Sequence, residues 1–104
     1  MITQLSTSFK ALGDPVRLRL FFLIGQHDAV CVCHLVNALH IPQSTISRHL
    51  SILRHAGLVQ TSREGKWIYY ALSGELAAQL KSTFTQVDAQ LEVDILALQS
   101  EITC

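Results

Sequence analysis

The sequence predicts a mainly α (α+β) fold of the winged helix-turn-helix kind, with about five helices and a two-stranded β-hairpin wing, and three observations carry that reading. Apolar residues recur at helical spacing through most of the first 56 positions. A proline-marked break, His40-Ile41-Pro42, separates a short helical segment from a longer one. Two runs of strand formers then flank a polar tip and give way to a further helical stretch.

Ile2, Leu5, Phe9 and Leu12 share one helical face, and Gly13 follows as a C-terminal cap. Asp14-Pro15 supplies a capping carboxylate and then proline at the first helical position, opening an apolar and mostly buried helix from Val16 to about Gly25. Val32, Leu35, Val36 and Leu39 mark a short third helix. A fourth runs from about Gln43 to Ala56 and stops at Gly57. Leu58 to Ser62 and Trp67 to Leu72 read as strands joined through Arg63-Glu64-Gly65-Lys66. From about Gly74 one long terminal helix is expected, its apolar face formed by Leu76, Leu80, Phe84, Val87, Leu91, Ile95 and Leu98.

With 104 residues the chain is expected to form one domain spanning 1–104. Its 49% hydrophobic and 15% charged residues leave a small monomer with more apolar surface than it can bury, so a homodimer is expected. No run approaches the roughly 18 apolar residues of a membrane span, and the start lacks the basic and apolar regions of a signal peptide. A cytoplasmic protein with no membrane partner follows as an expectation. Three cysteines, two of them one residue apart, do not make a secreted disulfide framework and are expected to stay reduced.

The formal net charge is zero, which by itself argues against a nucleic-acid partner, but the charges are segregated. Residues 1–36 carry a net +1, residues 37–74 carry +3 before any histidine is counted, and residues 75–104 carry −4. The basic middle contains the fourth helix. At about 100° per residue, Ile46, Leu50 and Leu53 fall on one side of it, while Ser44, Ser47, Arg48, Ser51 and His55 cluster roughly opposite. Small hydroxyls permit close approach to a DNA major groove, and Arg48 can reach guanine or a phosphate. A solvated polar face is the plainer alternative, but such faces usually carry acids and this helix has none. Gln43, Ser44, Thr45, Ser47, Arg48, Ser51 and His55 are therefore the candidate DNA-reading residues, with Arg63 and Lys66 of the hairpin as candidate phosphate or minor-groove contacts. His49, at the edge of the apolar side, is expected to pack or hydrogen-bond within the fold. Trp67, Tyr69 and Tyr70 suit core and wing packing better than base stacking.

Cys31-Val32-Cys33 lies just upstream of this reader. Composition alone leaves two readings open, a pair of small buried hydrophobes or a pair of soft ligands. In a regular helix, residues two apart diverge by about 200°, so closing both thiols on one atom is expected to unwind or distort the start of the third helix.

Several stretches together resemble the ArsR/SmtB family of metal-responsive winged-helix repressors. They are Phe9-Lys-Ala-Leu-Gly-Asp-Pro-Val-Arg-Leu-Arg-Leu20, Cys31-Val-Cys-His-Leu35, Ser44-Thr-Ile-Ser-Arg-His-Leu50 with Leu53, and Gly65-Lys-Trp-Ile-Tyr-Tyr-Ala-Leu72, and the likeness covers roughly residues 5–73. The resemblance implies a dimer built by the first and last helices, bound to a palindromic double-stranded operator and released when a metal or metalloid binds. Within that family, Cys31 and Cys33 resemble the inducer ligands of arsenical repressors, closest to the arsenical-responsive type. The arsenical pattern has a further cysteine where this chain has Val36. The cadmium and lead type adds N-terminal cysteines, but none precedes Cys31; the zinc type uses histidines of the last helix, but none follows His55.

These departures favour As(III) or Sb(III) as inducer, with no catalytic cofactor. Cys104 is then either the third thiol, from either subunit, or an unliganded tail. The alternatives are a repressor that senses Cd, Pb, Zn or thiol oxidation through the same cysteines and, in a different class, a small thiol oxidoreductase. The chain has no Cys-x-x-Cys motif, phosphate-cradling loop or βαβ pattern to favour an enzyme.

Overall fold

The computed structural model describes residues 1–83 and 89–103, so Cys104 and the expected apolar positions Phe84 and Val87 lie outside the described residues. Its elements in chain order are α1 (Ile2–Leu12), α2 (Pro15–Ile24), β1 (Val30–Cys31), α3 (Val32–Leu39), α4 (Gln43–His55), β2 (Val59–Glu64), β3 (Trp67–Leu72), α5 (Glu75–Thr83) and α6 (Ala89–Thr103). α3 and α4 form the helix-turn-helix, and β2 and β3 form the wing.

Local chemistry explains the starts and stops. The Asp14 carboxylate accepts hydrogen bonds from the backbone N–H groups of Val16 (3.0 Å) and Arg17 (3.1 Å), satisfying donors that the first turn of α2 leaves free. α3 ends at His40, whose φ of 56° reverses the chain into Ile41-Pro42. Gly65, at φ 62°, allows the two-residue turn Gly65-Lys66 between β2 and β3.

Leu20, Phe21, Leu23 and Ile24 of α2, Leu35 of α3, and Ile46, Leu50 and Leu53 of α4 form the centre of the core. This burial fixes the face that α4 turns outward. Ser8 is buried where α1 crosses the end of α4, its hydroxyl donating to the Ala56 carbonyl at 3.3 Å. α6 packs over α3 and α2, held by Arg19, whose guanidinium donates twice to the buried Asp94 carboxylate at 2.8 and 3.0 Å.

Three expectations are corrected. The sheet has three strands, in the order β1-β3-β2, because Val30 and Cys31 pair antiparallel with Tyr70 and Tyr69; two residues are too few for strand periodicity to register. Arg63 is not at the hairpin tip but lies in β2 opposite Ile68, since the turn needs only two residues. In the terminal segment the described residues form α5 and α6, which carry Leu76, Leu80, Leu91, Ile95 and Leu98 of the expected apolar face, and the stretch between them, residues 84–88, lies outside the described residues. On α1 only Leu5 and Leu12 of the expected apolar face turn inward, whereas Ile2 and Phe9 are exposed. Among the described residues, no helix is long and apolar enough to cross a membrane.

Candidate functional site

Burial of Ile46, Leu50 and Leu53 leaves the opposite face of α4 in solvent. Ser44, Ser47, Arg48 and His55 are exposed on it and Ser51 is half-buried, while Gln43 is exposed at the start of the helix and Thr45 is half-buried on its flank. The fold thus gathers the seven α4 candidates onto one helix. His55 Nδ1 lies 2.8 Å from the Ser51 carbonyl, a bond that requires the proton on Nδ1 and orients the ring along the last turn. Arg63 and Lys66 are exposed on the wing, away from α4 in sequence but on the same basic stretch. Lys66 Nζ sits 5.0 Å from the Trp67 ring centre, a cation–π contact that steers the ammonium along the wing. Of the residues expected in core and wing packing, Trp67 is 46% exposed and lies on the wing surface, while Tyr69 and Tyr70 are half-buried and Tyr70 packs against the core.

His49 fixes α4 against α2. It is buried, and its Nδ1 accepts from Arg17 Nη1 at 3.2 Å, with the Asp14 carboxylate 3.9 Å away. Arg17 also donates through Nε to the Ala11 carbonyl, so one guanidinium joins α1, α2 and α4. Burial holds the His49 imidazole below its ordinary value; the Asp14 charge opposes this, and Arg17 and Arg48 reinforce it. The Asp14 carboxyl is also held below its usual range, first by the N–H of Arg17, but it titrates at far more acidic pH.

In the unfolded chain His49 therefore takes up a proton at about pH 6.5, where in the folded chain it does not. The stability that His49 contributes is complete above about pH 6.5 and is lost as the pH falls through that value towards the lower folded pKa. Urea unfolding at pH values on either side of this window should show the loss. His49→Asn keeps an acceptor for Arg17 without a titrating ring and should flatten that pH dependence; an unchanged profile contradicts the assignment.

The thiol pair occupies the joint between sheet and helix. Cys31 is 1% exposed, ends β1 and caps α3, with extended backbone (φ −71°, ψ 137°). Its sulfur accepts the backbone N–H of Cys33 at 3.3 Å. Because Cys31 lies before the helix and Cys33 inside its first turn, their sulfurs converge while Val32–Leu39 stays helical. The structure places the two sulfurs in contact, with Cα atoms 5.3 Å apart. One expectation about this motif is thereby corrected: bringing the sulfurs together needs no unwinding of α3. The 200° divergence applies only to two residues that are both helical.

The pair suits a soft ligand in its reduced, dithiolate form. Val36, in the position where the resemblance expects a third thiol, is half-buried and packs against the core. Among the described residues, no three His, Cys, Asp or Glu side chains are grouped to hold a metal ion. Any third ligand to the pair therefore comes from solvent, from residues outside those described, or from another chain.

Sequence reasoning missed Lys10 and Arg17. They line an open groove of about 580 Å³ together with Arg48, Ser51, Ile52 and His55 of α4. Their signal was the small positive balance of residues 1–36, which spacing along a single helix does not connect to α4.

Residues 14–61 match the family described as bacterial regulatory protein, arsR family. The arsenic resistance transcriptional regulator ArsR1 of Pseudomonas putida is 38% identical over a match covering 92% of this chain and 84% of that protein. Among solved structures, the transcriptional regulator HlyU of Vibrio vulnificus aligns with a TM-score of 0.69 at 29% identity, covering 77% of this chain and 82% of that one. The cadmium sensor CMTR of Mycobacterium tuberculosis aligns with a TM-score of 0.64 at 32% identity, covering 80% and 84% respectively.

Proposed function

The chain belongs to the ArsR family of DNA-binding transcriptional repressors, and we propose that its inducer is As(III) or Sb(III), taken up by the thiolates of Cys31 and Cys33. In this reading residues 1–104 act as one winged unit in the cytoplasm and bind a palindromic double-stranded operator as a homodimer. The observation that carries the proposal is the convergence of two sulfurs at the N-terminus of α3, immediately before the helix that presents Ser44, Ser47 and Arg48. Trivalent arsenic prefers thiolate to oxygen donors, and the pair supplies two of the soft ligands it takes. Similarity to an arsenic resistance regulator supports the same choice.

Homodimerisation is supported by exposed apolar residues at both ends of the chain: Ile2 and Phe9 on α1, and Val93, Leu96 and Ile102 on α6. Such a surface is costly in water and gains by pairing.

Coupling to DNA follows from where Cys31 sits. Its backbone pairs with Tyr69 in β3, its side chain caps α3, and α3 packs on α4, so a change at the sulfur reaches both wing and reader. The inducer acts by binding more tightly to a DNA-incompetent arrangement of these parts. Unwinding of α3 is not part of this mechanism.

The test is release of the reduced protein from its selected operator duplex by arsenite, followed by fluorescence anisotropy. Release at stoichiometric arsenite supports the proposal, and no release at any concentration contradicts it. In the same assay Arg48→Ala should weaken operator binding by about 1–3 kcal/mol and relax base preference at one position, as loss of a bidentate base contact requires. Equal weakening on all sequences assigns Arg48 to a phosphate instead.

The paired sulfurs favour one second reading, in which oxidation of the two thiols to a disulfide, with peroxide as the two-electron acceptor, is the signal. Release by peroxide but not by arsenite under full reduction selects it.

A further inference from the structure

The groove between α1 and α4 has a lining that the reading helix alone does not explain. Thr7, Lys10 and Ala11 of α1, Arg17 of α2, and Arg48, Ser51, Ile52, His55 and Ala56 from α4 to its C-cap surround it, with three permanent cations and no carboxylate. Ile52 is 37% exposed, an apolar side chain among cations on an otherwise polar helix face. Arg17 is held in place by the Ala11 carbonyl and His49 Nδ1, with Nη2 outside both bonds. Its ordering cost is therefore met before any ligand arrives.

We propose that this groove seats the sugar–phosphate backbone of the operator, with Lys10 and Arg17 as phosphate anchors outside the reading helix and Ile52 against the deoxyribose. The inference rests on the DNA-binding reading and extends it to two helices not expected to touch DNA. An apolar floor beside a cationic rim matches a sugar edge and its phosphate, whereas a free inorganic phosphate has nothing to place on Ile52. Arg48 then stands between groove and bases, able to serve either.

Lys10 is exposed and is the cleanest position to test. Binding of wild type and Lys10→Ala to the selected operator and to a mixed-sequence duplex is measured over a range of salt concentrations. The expected result is weaker binding of Lys10→Ala to both duplexes by a similar factor, with the slope of log K against log salt reduced in magnitude by about 0.9 per protomer, as loss of one phosphate contact requires. Lys10→Arg should restore the wild-type slope.

A wild-type slope and affinity in Lys10→Ala overturn the groove assignment. So does an unchanged slope accompanied by saturable shifts of groove resonances on adding inorganic phosphate to the free protein, which assigns the groove to a small anion. A wild-type chain that binds neither duplex overturns the DNA-binding reading itself, a separate failure.

Discussion

Replacing Cys31 and Cys33 together by serine is expected to leave operator binding intact and to abolish release by arsenite. The first half follows from the local structure. Cys31 caps α3 by accepting the Cys33 N–H, and serine is among the best residues at that position, so its hydroxyl keeps the bond and is not buried unpaired. Cys33 is half-buried in the first turn, where a hydroxyl is tolerated. The second half follows from ligand chemistry, since a serine hydroxyl at neutral pH is a poor donor to a soft trivalent ion. Cys31→Ala is the instructive contrast: it loses the cap as well as the ligand and should lower stability by about 1 kcal/mol. Anisotropy titrations and urea unfolding on the same samples separate these effects. Normal arsenite release from the double serine variant would sink the assignment of the inducer site.

Arg19→Met should destabilise the fold by about 2–3 kcal/mol, the largest loss expected from a single change outside the core. Asp94 is 3% exposed, and its carboxylate receives Arg19 twice and Gln90 Nε2 once, at 3.0 Å. Among the described residues, removing the guanidinium leaves a buried charge with one neutral donor, Gln90. The Arg19 side chain is 28% exposed, so water replaces part of the loss and the estimate sits below the range for a fully buried pair. The pair is the α2–α6 clasp, and α6 packs on α3, so the variant should also loosen the helix that carries the thiols. Adding Asp94→Leu to Arg19→Met should recover most of the stability, because an apolar pair has no charge to strand. Urea midpoints for the two variants decide it. A double variant as unstable as the single one contradicts the charge argument and points to lost packing.

The parts of this fold legible in the sequence were those with a local chemical signal. Asp14-Pro15 announced α2 and caps it as expected, and Gly57 marked the stop of α4. The two faces of α4 were readable because one helix carried the whole pattern, and His49 fell inside the fold as its place on that wheel required. Features that depend on distant partners were not readable. β1 exists because Tyr69 and Tyr70 lie beside it, and nothing in Val30-Cys31 itself specifies a strand. The geometry of the thiols turned on one residue of register, since placing Cys31 before α3 and not in it reverses the prediction of unwinding. Lys10 joins Arg48 only through the crossing of α1 over α4, and Arg17 through the packing of α2 on α4, both tertiary facts.

The central claim is that Cys31 and Cys33 hold the inducer, and X-ray absorption at the arsenic edge of the reduced protein with bound arsenite tests it most directly. The account predicts an arsenic atom with at least two sulfur neighbours, a third sulfur disappearing in Cys104→Ser if the terminal thiol completes the site, and no sulfur shell in the Cys31→Ser, Cys33→Ser variant. Arsenic bound with only oxygen or nitrogen neighbours, or a sulfur shell that survives loss of both cysteines, would contradict it.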